Sequence, residues 1–230
     1  MVEQIDNAID IAKNNCREQM KRYQNLREHI SVEKYRELFL HTAKFIMYER
    51  KNFDEFMIDE FNTPIINEFY NYTVHQSACF NSYIGIILNG KYGCGKSVLI
   101  EAFCRILNLI TYSEKNKIQF FHSIELADLI INNGVSPYAK MPLCIQDLGK
   151  EKKGVNHFGT IYNPISELLA VRAEYGSLTF GSTNMDIPTL SQFYQEYVGK
   201  RLLEHVNIVF LPGNSRRKDY SVNQPVSKNG

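Results

Sequence analysis

Gly90-Lys91-Tyr92-Gly93-Cys94-Gly95-Lys96-Ser97 is the stretch whose residue types and spacing suit chemistry best. It fits G-x-x-x-x-G-K-[ST]. Glycines let the backbone curl until successive N–H groups point inward, a concavity made for phosphate oxygens. A helix opening straight after the loop adds its unpaired N–H groups and the positive end of its dipole. In such a loop the lysine, here Lys96, reaches the β- and γ-phosphates, and the hydroxyl, here Ser97, ligates Mg²⁺. The context agrees: YIGIILNG reads as a strand and SVLIEAFCRILNLI as a helix. The loop Gly90, Lys91, Tyr92, Gly93, Cys94, Gly95, Lys96, Ser97 therefore implies a site for ATP with Mg²⁺. Cys94 is read as a small filler, since a nucleophilic thiol needs a lowered pKa.

A phosphate loop needs an acid at the tip of a neighbouring strand to hold Mg²⁺ or its water. MPLCIQDLGKE offers Asp147, at the C-terminal end where α/β sheets gather their ligands. ATPases of this kind carry two adjacent acids there, and this chain has Gln146-Asp147. If Asp147 is the metal acid, the water-activating acid is missing. If Asp147 is the second acid, the metal acid has become a glutamine, which carries no charge to balance Mg²⁺. Glu151 substitutes only if its loop folds back. SLTFGSTNMD places Ser182, Thr183 and Asn184 at another strand tip, where an amide positions a water near a γ-phosphate.

These tips need a parallel sheet to bring them together. YIGIILNG, KIQFFHS, PLCIQDLG, SLTFGSTN and VNIVFLPG read as strands, with helical segments between them. That alternation predicts an α/β fold with a five-stranded parallel sheet. Upstream the pattern is helical. Ile5, Ile9, Ala12, Cys16, Met20, Tyr23, Leu26 and Ile30 form an apolar stripe at steps of three or four. Ser31 is an N-cap for a second helix, and Thr63-Pro64 reads as N-cap plus first turn of a third. The organisation expected is an N-terminal helical region over 1–55, a core over 56–218 and a polar tail over 219–230.

The chain has 230 residues, 44% hydrophobic and 22% charged, which suits one globular core. A net charge of +1 sets up no global field, so any nucleic-acid contact must come from local basic patches. Lys150, Lys152 and Lys153 form one, and Arg216, Arg217 and Lys218 another. The five cysteines include no C-x-x-C pair, which fits reduced thiols. No signal-peptide or membrane-spanning pattern is present, so the expected location is cytoplasmic, away from membranes.

With these residues in view, the chain resembles the DnaC/IstB group of AAA+ ATPases, the replicative helicase loaders and transposition helpers. The resemblance runs from about residue 56 to 217. It rests on FMIDEFNTPIINEFYNY, the phosphate loop, LGKE, GSTN and YQEYVGKRLLEHVNIVFLPGNSRRK. It implies an AAA+ type P-loop fold, with Arg201 as an arginine finger acting on a neighbouring subunit. It also implies Arg217 as a second sensor arginine. An arginine suits both jobs, because it is always charged and binds phosphate through a planar fork. The implied partners are a replicative helicase or transposase, single- or double-stranded DNA, and further copies of the chain. The chain departs from the family at Gln146 and at Tyr194-Gln195-Glu196-Tyr197, where the family carries Tyr-Gly-x-Arg. Both departures bear on hydrolysis and subunit coupling, and they leave open an ATP-binding interaction module that hydrolyses poorly or not at all. A small-molecule kinase would need an arginine-rich lid, which residues 149–160 do not resemble.

Overall fold

The computed structural model describes residues 28–51, 55–157 and 160–216, together with scattered positions before 28. The stripe over 3–30 lies largely outside the described residues, as do Arg217 and the 219–230 tail.

Helix α1, Val32–Glu49, starts where the sequence places it: the Ser31 side chain accepts a hydrogen bond from the Lys34 N–H. Helix α2 runs Thr63–Thr73. Its cap position falls to Asn62 rather than Thr63. The Thr63 hydroxyl donates to the Asp59 carbonyl, and the Asn62 carboxamide oxygen accepts from the Asp59 N–H, closing the preceding turn.

The α/β core follows as β1 (Gly85–Asn89), α3 (Lys96–Ile110), β2 (Gln119–His122), α4 (Ser123–Asn133) and β3 (Leu143–Leu148). A short hairpin, β4 (Val155–His157) and β5 (Thr160–Tyr162), comes next. The chain continues with α5 (Pro164–Tyr175), β6 (Thr179–Thr183), α6 (Ile187–Phe193), α7 (Glu196–Glu204) and β7 (Val206–Phe210). The five predicted strands form one sheet in the order β2-β3-β6-β1-β7, and every pairing is parallel. The antiparallel hairpin β4–β5 was not expected. Its three-residue strands are too short to show a period in the sequence.

Alternation along the strands divides the core in two. Ile86 and Leu88 of β1, with Cys144 of β3 and Phe180 of β6, face α1, α2 and α3. Ile87, Leu143 and Ile145 face α4, α5, α6 and α7. On the first side, Phe69 of α2 stacks on Phe103 of α3 at 4.2 Å between centroids, and Phe103 meets Phe180 edge-on at 5.9 Å. Tyr35, Phe39, Ala43 and Ile46 of α1 are buried in the same cluster, so α1 is fastened directly to the helix that follows the phosphate loop.

Candidate functional site

Parallel register brings the strand tips to one edge. Asn89 pairs with Thr183 and Phe210, and His122 pairs with Gln146. A bulge between Ile145 and Leu148 then lets the tip of β3 bend. Within it Asp147 takes φ 59, a left-handed conformation that a non-glycine residue adopts at some cost. Three bonds hold the bend. The Asp147 N–H donates to Ser182 Oγ (3.2 Å), Ser123 Oγ donates to the Asp147 carbonyl (2.8 Å), and Thr183 Oγ1 donates to the Leu148 carbonyl (2.8 Å). Ser182 and Thr183 thus lock β6 to β3, and Asn184 is the member of that tip which reaches the cavity.

The loop between β1 and α3 is curled as its glycines allow. Gly93 has φ 77, and Gly95, the residue capping α3, has φ 101 with open space where a Cβ would stand. The Lys96 ammonium donates to the carbonyls of Gly90 (2.8 Å) and Lys91 (2.7 Å) and lies 3.7 Å from the sulfur of Cys94. Burial draws the Lys96 pKa below the ordinary lysine value, against the pull of Cys94 and Asp147, which favour the charged form.

A cavity of about 450 Å³ opens in front of the loop. Gly93, Gly95, Lys96, Ser97, Asp147 and Asn184 all line it. The Asp147 carboxylate accepts from Lys150 Nζ at 2.8 Å, and that ammonium also sits 5.2 Å over the Tyr92 ring. Ser97 and Asp147 offer a hydroxyl and a carboxylate. Such a pair fits Mg²⁺, which keeps several waters and takes substrate phosphate oxygens for the rest of its shell.

Gln146, buried at 4% exposure, is committed elsewhere. Its Nε2 donates to Glu101 Oε2 at 2.8 Å, and its Oε1 accepts from Arg50 Nη2 at 3.4 Å. Glu101 projects from α3 and forms ion pairs with Arg50 and with Arg105, the latter at 2.7 Å. Arg105 pairs in turn with Glu49 at 2.7 Å. No motif marks this cluster; the sequence signal that could have found it is the buried acid at 101, four residues after Ser97. Glu151 does fold back, but away from the cavity. It is buried at 4% exposure, takes a 2.6 Å bond from the Tyr194 hydroxyl and accepts from the Gly149 N–H at 3.0 Å.

Arg201 does not line this cavity. It lies on α7, pairs with Glu174 at 3.4 Å and rests 4.8 Å over the Tyr197 ring. Arg217 is outside the described residues, whereas Arg216, read from the sequence as part of a basic cluster, does line the cavity. The chain after β7 runs across the phosphate loop, with the Arg216 N–H donating to the Gly93 carbonyl at 2.9 Å. Its Nη2 is 2.7 Å from Asp59 Oδ2, an ion-pair contact without hydrogen-bond alignment.

No family model matches the chain, and no curated protein matches it. Solved structures do. The structure of DnaI aligns with a TM-score of 0.52 and 18% identity, over 71% of this chain and 88% of that one. The DnaC helicase loader aligns at 0.52 and 16%, over 68% of this chain and 93% of that one. A candidate primosome component from Streptococcus pyogenes serotype M3 aligns at 0.52 and 18%, over 69% and 84%. This chain shares the α/β fold of those three structures. Among the described residues, no helix is long and apolar enough to cross a membrane.

Proposed function

We propose that this chain is an ATP-binding AAA+ ATPase of helicase-loader type, in which ATP hydrolysis switches its assembly and its hold on a replicative helicase and single-stranded DNA. The observation that carries the reading is the convergence of Lys96, Ser97, Asp147 and Asn184 on one cavity in front of a curled phosphate loop. In this reading the loop N–H groups and Lys96 bind the β- and γ-phosphates. Ser97 and Asp147 would hold Mg²⁺, which when bound offsets charge on the γ-phosphate. Asn184 orients the attacking water. Arg216 is the member of the basic cluster that reaches the cavity, and Arg217 keeps its proposed sensor role. Arg201, held on the surface by Glu174 and Tyr197, acts on a neighbouring subunit's nucleotide and requires an oligomer.

A second reading has its own support: an assembly module that binds ATP and turns it over poorly or not at all. Gln146 spends its amide on Glu101, and Glu151 is buried against Tyr194. Neither is free to activate water. ATP binding and turnover, with and without single- and double-stranded DNA, separate the two. DNA-stimulated turnover that Lys96→Ala abolishes supports the ATPase. Tight binding without turnover supports the module. Wild-type protein that binds no ATP overturns both. Capture of a transposase in place of a replicative helicase moves the partner assignment to the transposition helpers.

A further inference from the structure

Arg50 stands just past the end of α1, far in sequence from the phosphate loop, yet it lines the nucleotide cavity beside Lys96, Ser97 and Asp147. Two features fix it there. Its Nη2 is paired with Glu101 and lies 3.4 Å from Gln146 Oε1. Glu101 follows Ser97 by four residues on α3, so both side chains project from one face of that helix. The guanidinium is therefore held beside the residue one helical turn past Ser97, against Gln146 at the tip of β3. Its side chain is 37% exposed, so the cation remains accessible from the cavity. A guanidinium presents five donors in a flat fork. Among the described residues both of its side-chain hydrogen bonds run through Nη2.

We propose that Arg50 is a phosphate-binding residue of the nucleotide site, contributed by the N-terminal helix, with Glu101 and Gln146 as the residues that position it. The proposal rests on the ATP reading of the cavity and goes beyond it. No phosphate-loop motif reaches to residue 50, and beside Asp147 the β3 tip carries a neutral amide that faces a cation. Occupancy of the site is thereby linked to α1, since a phosphate that engages Arg50 also engages the end of the helix.

The test is nucleotide affinity by calorimetry on the full chain, for ATP and ADP with Mg²⁺, in wild type, Lys96→Ala, Arg50→Ala, Arg50→Lys and Glu101→Gln. Arg50→Ala is expected to weaken ATP binding about ten- to hundredfold, the range of a lost charge-assisted bond. Glu101→Gln keeps an acceptor for Arg50 and removes its competing charge, so ATP affinity stays within about threefold of wild type or improves. If Arg50 serves only to neutralise Glu101, adding Glu101→Gln to Arg50→Ala restores ATP affinity, which overturns the proposal; a double variant that binds ATP as weakly as Arg50→Ala supports it. Should Arg50→Ala not fold, Arg50→Lys decides. It keeps the ion pair but not the fork, so several-fold weaker ATP binding at unchanged melting temperature supports the proposal, and unchanged binding overturns it. Wild type that binds ATP, with Lys96→Ala impaired and Arg50→Ala unaffected, removes this inference alone. Wild type that binds no ATP removes the site reading with it.

Discussion

The phosphate loop and the charge cluster beside it occupy the same corner of the molecule but are built in opposite ways. The loop is local: eight consecutive residues, curled by glycines, with Lys96 bonded to carbonyls five and six residues upstream. The cluster is assembled from α1, α3 and β3, joining Arg50 to Glu101 across 51 positions and Gln146 to Glu101 across 45. A local loop can be rebuilt without disturbing its neighbours. A buried carboxylate shared among three elements cannot lose its charge or gain another without a response from all of them.

Glu101→Ala gives the largest separation between the two. It strips Arg50, Arg105 and the Gln146 amide of a common acceptor. Breaking a buried pair from one side costs roughly 3–5 kcal/mol. Because both arginines are about one-third exposed, the lower end, about 3 kcal/mol, is expected in denaturant unfolding. Ser97→Ala, in the loop, should change stability by no more than about 0.5 kcal/mol while reducing Mg²⁺-dependent nucleotide binding. Equal stability losses in the two variants would erase the distinction.

Gln146→Asp sharpens the same point. From the sequence it looks like the restoration of a missing acid. In the structure it sets a second carboxylate against Glu101. A loss of about 1–2 kcal/mol is expected, with no gain in turnover. Adding Glu101→Gln to that variant should recover the stability, a coupling that a double-mutant cycle reads directly. Faster turnover in Gln146→Asp alone would show that Glu101 imposes no constraint on the strand tip.

Gly93→Ala probes the loop from its other side. Its φ of 77 strains any side chain, and a Cβ there would run into the Ser215 side chain. The left-handed conformation alone costs about 1–2 kcal/mol. The segment carrying Arg216 should detach first, seen as faster amide exchange at Arg216, whose N–H bonds to the Gly93 carbonyl. Unchanged exchange there would mean that the segment is held by other contacts.

These cases explain what the sequence made legible. The five strands and the loop were readable because each is written in neighbouring residues: an apolar run, then glycines, then a helical period. Asp147 and Asn184 were readable as strand-tip residues, since parallel sheets converge their tips. The roles of Ser182 and Thr183 as locks, the engagement of Gln146 by Glu101 and the arrival of Arg50 were not. Each depends on a partner more than 30 positions away, and no periodicity encodes such a pairing. That Arg216 lines the cavity is a question of local chain direction, set by the bond from its own N–H to the Gly93 carbonyl, and no spacing in the sequence encodes it.

Glu151 carries the comparison to its smallest effect. It is the third acid near the β3 tip, and it is withdrawn from the site by Tyr194, whose hydroxyl donates to it and accepts from the Gly149 N–H. Burial, together with the Glu151 charge, pushes the Tyr194 hydroxyl well above its ordinary pKa. An unfolded tyrosine releases its proton near pH 10. The folded state therefore keeps a proton that the unfolded state has lost. The stability from this group is complete below about pH 10 and declines as pH rises toward the folded value, by about 1.4 kcal/mol per pH unit for one proton. Tyr194→Phe should cost about 1 kcal/mol at neutral pH, because Glu151 and the Gly149 N–H lose a partner. It should also remove that one-proton slope above pH 10, leaving the contribution of the other tyrosines. Urea unfolding of both proteins between pH 8 and about 11 measures the two effects together. Parallel curves across that range would mean that the Tyr194 hydroxyl is not the group that keeps the extra proton in the folded state.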